Sequence, residues 1–252
     1  MIPDVTPAQF FLGWDVGGWN CDENRHSRDA IVIIDGSLAV VGQPWRGNLR
    51  ECIAIATTTT EWLHALFAKC EAKLPAELTE VTLAIDTPLG FPKEFVELIT
   101  RQISIEPSKT SGLNSYLFRH TERHLFARER KPLSAIKDMI GSQATKGIHA
   151  LAKFAPKIES CGVWTDGQGF RAIETYPAAC HGKLEVQRLL GGATALGCTD
   201  KDDARLCALV AYLFANDRCA LEGPTSNVPE SEGWIWVPWR CAGEGTNVIK
   251  SD

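Results

Sequence analysis

The sequence predicts an α/β protein in which an antiparallel meander leads into buried, parallel strands, with helices around them and one long helical insertion. Three observations carry this reading. The β-branched apolar run from Val81 to Ile85 has the composition of a strand buried on both faces. Ahead of it, two apolar runs are joined by Asp35-Gly36-Ser37, and Asp-Gly between such runs is a hairpin signal. Beyond it, from Gly90 to about Ala155, nothing reads as a strand, and apolar residues recur at helical spacing.

Taken in order, residues 11–18 (F-L-G-W-D-V-G-G) form a first strand with Asp15 at its centre and a glycine pair at its end. Residues 30–34 form the second strand, and residues 38–41, after the Asp35-Gly36-Ser37 turn, the third. Residues 60–73 place Trp62, Leu63, Leu66, Phe67 and Cys70 on one side of a helix, with N-cap candidates in the run from Thr57 to Thr60. The strand from Val81 follows and ends in Asp86, where Pro88, Gly90 and Pro92 turn the chain away. The insertion, about 90–155, divides into helices at 92–102, 115–129 and 134–154, the last with a break near Gly141; Pro107, Gly112 and Pro132 mark the joints. Residues 169–175 (G-F-R-A-I-E-T) are a further strand ending in Glu174, followed by a helix over 179–190. Residues 199–217 give the clearest helix, with Thr199 as its cap and Asp202 as a capping-box-like acid. The tail, residues 234–239 (W-I-W-V-P-W), is a short aromatic strand or packing flap, and Pro238 argues against a central place in a sheet.

The totals limit the function classes. The chain has 252 residues and 44% apolar content, which suits one α/β domain over 1–252. No apolar run approaches the roughly 18 residues that cross a bilayer, and the opening M-I-P-D-V-T-P lacks the basic and apolar regions of a signal peptide. The expectation is a soluble, cytoplasmic protein without membrane contact. Nine cysteines from Cys21 to Cys241, with no C-x-x-C pair, read as reduced thiols rather than a zinc site. The net charge of −5 is uneven. From Glu106 to Lys157, ten Lys and Arg stand against four acids, a balance of +6, so the remainder carries −11. A basic segment in an acidic chain is either a solvated helical face or a platform for a polyanion.

Two strands end in Asp86 and Glu174, the first strand carries Asp15, and the last helix opens with Asp202 and Asp203. Each has a local explanation, as a turn former or a helix N-terminal charge. Asp15 is the hardest to explain locally, because it lies within an apolar strand and precedes two glycines that let a ligand approach the backbone. Carboxylates gathered at strand ends suit Mg²⁺, and two metals about 4 Å apart on shared carboxylates can stabilise both oxygens of a phosphodiester displacement.

The segments L-G-W-D-V-G-G, A-I-D-T-P-L-G-F-P, A-I-E-T-Y-P-A-A and D-D-A-R-L-C-A-L-V-A-Y-L-F-A occur in an order that resembles domain of unknown function 429, a family of predicted nucleases in the ribonuclease-H-like superfamily. The resemblance covers most of the chain and is weakest in the insertion. It implies a ribonuclease-H-like mixed sheet, three antiparallel strands followed by parallel ones, flanked by helices. It also implies that Asp15, Asp86, Glu174 and an acid on the last helix form a metal site. One position departs from the pattern: Cys207 stands where the last helix often carries an acid before an Ala-Leu pair. Cysteine is a poor ligand for Mg²⁺, so either Asp203, one turn earlier, takes the role or the site is incomplete.

The insertion carries Y-L-F-R-H-T-E-R-H, in which Arg119 and Arg123 share a helix face, as do His120 and His124. Without a third ligand the histidines do not point to zinc. Arg119 and Arg123 are candidates for phosphate contact, with Tyr116 stacking on a base, and an exposed surface helix is the alternative. The function expected is therefore a metal-dependent nuclease. Asp15, Asp86, Glu174 and Asp203 would hold Mg²⁺ or Mn²⁺, and the basic insertion would bind DNA or RNA. A catalytically inert scaffold of the same fold, binding nucleic acid or a protein, is the alternative. A phosphotransferase of the sugar-kinase and actin type ranks third, since no second acid-glycine turn or internal repeat is present.

Overall fold

The computed structural model describes residues 8–75 and 79–239. Its strands are β1 (Ala8–Asp15), β2 (Asp29–Asp35), β3 (Trp45–Gly47), β4 (Thr79–Asp86), β5 (Lys157–Ser160), β6 (Val163–Thr165), β7 (Phe170–Thr175) and β8 (Ile235–Trp236). Its helices are α1 (Arg50–Ile55), α2 (Thr59–Lys69), α3 (Lys93–Arg101), α4 (His120–Phe126), α5 (Gly141–Phe154), α6 (Pro177–Cys180), α7 (Leu184–Leu190) and α8 (Thr199–Asn216). One open sheet runs in the order β3-β2-β1-β4-β7-β6-β5, with β8 also on β7. The pairs β1–β2, β2–β3, β5–β6 and β6–β7 are antiparallel, whereas β1–β4, β4–β7 and β7–β8 are parallel.

The expected meander is present, but its third strand is displaced. Leu38 takes a left-handed conformation (φ 68°), so Val40 makes only a single bridge to Ile34. Residues 45–47 pair with the start of β2 instead. Asp15 ends β1 rather than lying at its centre. The β5–β6 hairpin and α1 had no clear signal, because their runs are too short to show a period. The helix expected over 179–190 breaks at His181-Gly182, where Gly182 has φ 69°.

Pleating divides β1 between two cores. Phe11 joins Ile173, Leu209, Leu213 and Phe214 beneath α8, while Leu12 and Trp14 join Leu66, Phe67 and Phe154 beneath α2 and α5. Trp62 stacks on Phe154 with centroids 4.9 Å apart and an interplanar angle of 4°, and a large side chain buried in this way contributes about 1.5–3 kcal/mol. Gly13 lets α8 lie directly on the sheet: a Cβ there would overlap the Ala204 carbonyl oxygen and the Ala208 nitrogen. Thr58 caps α2 by accepting from the Glu61 amide, a typical N-cap geometry.

Between β4 and β5 the chain is helical, but its helices are shorter than the periodicity implied. Gln102, Glu129 and Met139, all at positive φ, terminate three segments. Trp234 and Trp236 are buried, and β8 pairs in parallel with the end of β7, so the aromatic tail is a strand of the sheet's edge. The eight described cysteines carry free thiols; Cys241 and residues 1–7 lie outside the described residues. Among the described residues, no helix is long and apolar enough to cross a membrane.

Candidate functional site

Asp15 and Asp86 are in register on the adjacent parallel strands β1 and β4, at their carboxyl ends. Side chains in register leave a sheet on the same side, so two carboxyl groups stand next to each other at the end of two apolar strands. Both residues are half-buried. Burial, then the charges of Asp86, Asp200, Asp203 and Asp29, pushes the Asp15 carboxyl up to about 9. Burial, then Asp203 and Glu174, pushes Asp86 up to about 8. Desolvation and like-charge repulsion act in the same direction here, so without a counter-ion the pair retains protons at neutral pH.

Helix α8 brings further acids to this edge through its close contact with β1 at Gly13. Asp202 serves the loop before the helix: its Oδ1 accepts from the Leu196 amide at 3.0 Å and from Arg205 Nη2 at 3.0 Å. Asp203 is the acid whose charge reaches both Asp15 and Asp86. It lies 3.8 Å from His181 Nε2, and burial raises its pKa while His181 lowers it. Cys207, one turn further on, is fully buried, and burial followed by the charges of Asp86 and Asp15 holds its thiol well above the usual range. Cys207 is thus a buried residue of α8 that senses both acids of the pair.

Glu174 is placed differently from the other strand-end acids. It is in register with Ile85, one residue before Asp86, so pleating sends it to the face of Ile85 and Trp14. There Arg119 donates from Nη2 to Oε1 at 2.6 Å and from Nη1 to Oε2 at 2.8 Å, and the Leu89 amide donates to Oε2 at 2.8 Å. Both carboxylate oxygens are thus engaged.

This corrects the expectation for the insertion. Arg119 is not on an exposed helical face; it is the N-cap residue of α4, because the helix begins at His120 rather than at 115. Its guanidinium is fully buried and also donates to Glu122 Oε1 at 2.8 Å and to the Glu232 carbonyl at 2.9 Å. Burial alone would lower its pKa, but Glu122 and Glu174 raise it further, so it is a permanent internal cation. Arg123 is half-buried and lies 3.1 Å from His120 Nδ1. The Tyr116 hydroxyl accepts from the Ile105 amide at 2.6 Å and donates to the Ile105 carbonyl at 3.2 Å, which ties the ring to the preceding loop. None of the three lines the cavity beside the acids.

A second buried ion pair supports the turn after Asp15. Asp29 opens β2 and accepts from Trp14 Nε1 at 3.1 Å, the Gly17 amide at 2.9 Å and the Leu49 amide at 2.6 Å. Lys146 of α5, fully buried, pairs with it and reaches the carbonyls of Gly17 at 3.4 Å and Gly18 at 3.3 Å. Burial raises the Asp29 pKa and Lys146 lowers it. Lys146 lies four residues before Ala150, and both are among the buried residues of α5.

Asp15, Asp86, Glu174 and Thr175 line a cavity of about 190 Å³, together with Ser27, Pro132 and Leu133 among others. Adjacent carboxyls with raised pKa values fit a single hard divalent cation, which takes one or two carboxylates and keeps several waters. They do not present the four-acid set expected: Glu174 is held by Arg119, and among the described residues no three His, Cys, Asp or Glu side chains are grouped as a metal ion's ligands. Comparison of the chain with protein-family models, with curated proteins and with solved structures finds no match.

Proposed function

We propose that this chain is a metal-dependent nuclease of the ribonuclease-H-like type, acting on nucleic acid at Asp15 and Asp86. The observation that carries the reading is the pair itself: two carboxyls in register at the ends of parallel strands, with pKa values raised to about 9 and about 8. Perturbed carboxyls in a cleft mark sites of chemistry, and a cation is the partner that relieves their repulsion. The strand order β3-β2-β1-β4-β7, with an antiparallel half and a parallel half, supports the ribonuclease-H-like assignment.

Asp15 and Asp86 hold Mg²⁺ or Mn²⁺, and Asp203 stands at the edge of the site. When bound, the cation supplies positive charge for the phosphoryl oxygens and a more acidic water. Glu174 acts as a positioning residue: it anchors the Leu89 amide and Arg119, and so holds the turn that follows Asp86.

A second reading has its own support. Cys207 at the acid's place on α8 and the engagement of both Glu174 oxygens favour an inert scaffold that binds nucleic acid or a protein without cleaving it. Labelled single- and double-stranded DNA and RNA, incubated with the protein in Mg²⁺ or Mn²⁺, separate the two. The nuclease reading expects products from the wild type and none from Asp86→Asn. Binding without product in either metal overturns it in favour of the scaffold.

A further inference from the structure

Among the described residues, no Lys, Arg or His lines the cavity beside Asp15 and Asp86. An anion held there has to be met by main-chain and neutral side-chain donors, and the start of α5 supplies them. Ile140, the N-cap residue of α5, and Gln143, in its first turn, both line the cavity. The Ala144 amide closes the first turn on the Ile140 carbonyl at 3.0 Å, and among the described residues the amides of Gly141, Ser142 and Gln143 have no acceptor. Ile140 has no side-chain oxygen with which to cap them, and the first turn holds no acid. A Cβ added at Gly141 would meet nothing within 4 Å, so the approach to these amides is open.

This end of the helix is fixed in place. The Ser142 hydroxyl accepts from the Trp19 amide at 3.0 Å, and Lys146, one turn on, donates to the carbonyls of Gly17 and Gly18. The first turns of α5 are thereby tied to the loop that leaves Asp15. Free amides at the start of a 14-residue helix, aligned with its dipole, favour an anion.

A second observation points to the same place. Thr87 follows Asp86, lines the cavity and is 4% exposed, yet among the described residues its hydroxyl has no hydrogen-bond partner. Its methyl lies towards α5, since a Cβ added at Gly147 would come within 2.6 Å of it. A buried hydroxyl left unpaired costs free energy that a bound acceptor returns. The acid pair does not oppose an anion. Without a cation its carboxyls hold protons at neutral pH, and with one their charge is matched. At about 190 Å³ the cavity is smaller than the roughly 300–1,000 Å³ of pockets that enclose a small organic ligand, so it suits a single group of a larger molecule.

We propose that the start of α5 and Thr87 form a phosphoryl-binding subsite, in which the amides of Gly141, Ser142 and Gln143 and the Thr87 hydroxyl donate to the oxygens of one phosphate. That this phosphate belongs to a nucleic acid rests on the nuclease reading; the subsite itself does not.

Inorganic phosphate titrated into isotope-labelled protein in EDTA, followed by amide NMR with chloride at matched ionic strength as the control, tests the subsite. The amide signals of Gly141, Ser142 and Gln143 should move with phosphate and not with chloride. Thr87→Val removes a hydroxyl that has no partner, so it should melt no lower than the wild type and bind phosphate about tenfold more weakly. Ile140→Asp places a carboxylate against the same amides. It should also keep the melting temperature, because Asp is a favoured N-cap, and should abolish the phosphate shifts. Amides at these positions that phosphate leaves unmoved, or a Thr87→Val protein that binds phosphate as the wild type does, overturn the subsite. A single-stranded oligonucleotide that the wild type and Ile140→Asp cleave equally well in Mg²⁺ overturns its part in the reaction and leaves the nuclease reading standing. Phosphate bound at these amides by a protein that cleaves no nucleic acid supports the subsite and overturns the nuclease reading.

Discussion

The guanidinium of Arg119 and the carboxylate of Glu174 meet through two parallel hydrogen bonds, 2.6 and 2.8 Å long, with both side chains sealed from solvent. The residues are 55 positions apart, one at the start of α4 and one in β7, so the pair joins the insertion to the centre of the sheet. Glu122 completes a group of one buried cation and two buried carboxylates.

Removing the cation from such a group leaves uncompensated buried charge. Arg119→Ala should therefore cost on the order of 3–5 kcal/mol in urea unfolding. Arg119→Leu combined with Glu174→Leu should recover part of that loss. A single variant that unfolds at the wild-type urea concentration would show that the group carries no such stability.

The acid pair makes a pH prediction of definite sign. Folding raises the Asp15 and Asp86 pKa values from 3.8 to about 9 and about 8, so between pH 4 and 9 the folded protein binds protons that the unfolded chain has released. Their contribution is fully present below the unfolded value of 3.8, is lost progressively as pH rises, and is gone once pH has passed the folded values of about 8 and about 9. In EDTA the melting temperature should fall as pH is raised from 3.8 towards 8 to 9 and level off above, and Asp15→Asn with Asp86→Asn should flatten the fall. Mg²⁺ or Mn²⁺ should raise the wild-type melting temperature most at high pH, where the carboxylates are free of protons, and should leave the double variant unmoved.

Cys207 offers a test by addition. It lies buried against Asp15 and Asp86, so Cys207→Asp places another carboxylate in the same repulsive field. The variant should melt at a lower temperature than the wild type in EDTA and should show a larger rise with Mn²⁺. A Mn²⁺ response equal to that of the wild type would place the cation away from this face of α8.

Gly13 tests how the last helix is held to the sheet. An added methyl overlaps the backbone of α8 at Ala204 and Ala208 and approaches Cys207 Cβ at 2.8 Å. Overpacking of this kind costs about 1–3 kcal/mol, and because it forces α8 outward, Gly13→Ala should also weaken the Mn²⁺ response through Asp203. Urea unfolding and the metal-dependent melting shift read the two effects separately.

Asp15 and Asp86 could be singled out in the sequence because three separate apolar runs carry an acid, and Asp15, within its run and before two glycines, has the weakest local explanation. The first hairpin and the strands that end near Asp86 and Glu174 were legible in the same runs, whereas the order of the sheet was not, because β3, β5, β6 and β8 are runs too short to show a period. Arg119 was misread for a local reason: the helix begins five residues later than its periodicity implied, and an N-cap residue turns inward where a mid-helix residue would face out. Glu174 looked equivalent to Asp86 in sequence, but a one-residue offset in strand register moved it to the other face. Asp29 and Lys146, 117 residues apart, carry no local pattern that links them. Long-range ion pairs become visible only when the strands and helices are assembled.

The two internal ion pairs also decide whether the insertion can be treated as an interchangeable part. Lys146 and Arg119 both lie within it, and their carboxylate partners Asp29 and Glu174 belong to the sheet. Excising residues 90–155 and splicing the ends would strand two acids in an apolar interior with nothing to neutralise them. The insertion is therefore not a loosely attached module. Sheet and insertion form one electrostatic unit, and neither should be recoverable as a folded fragment without the other.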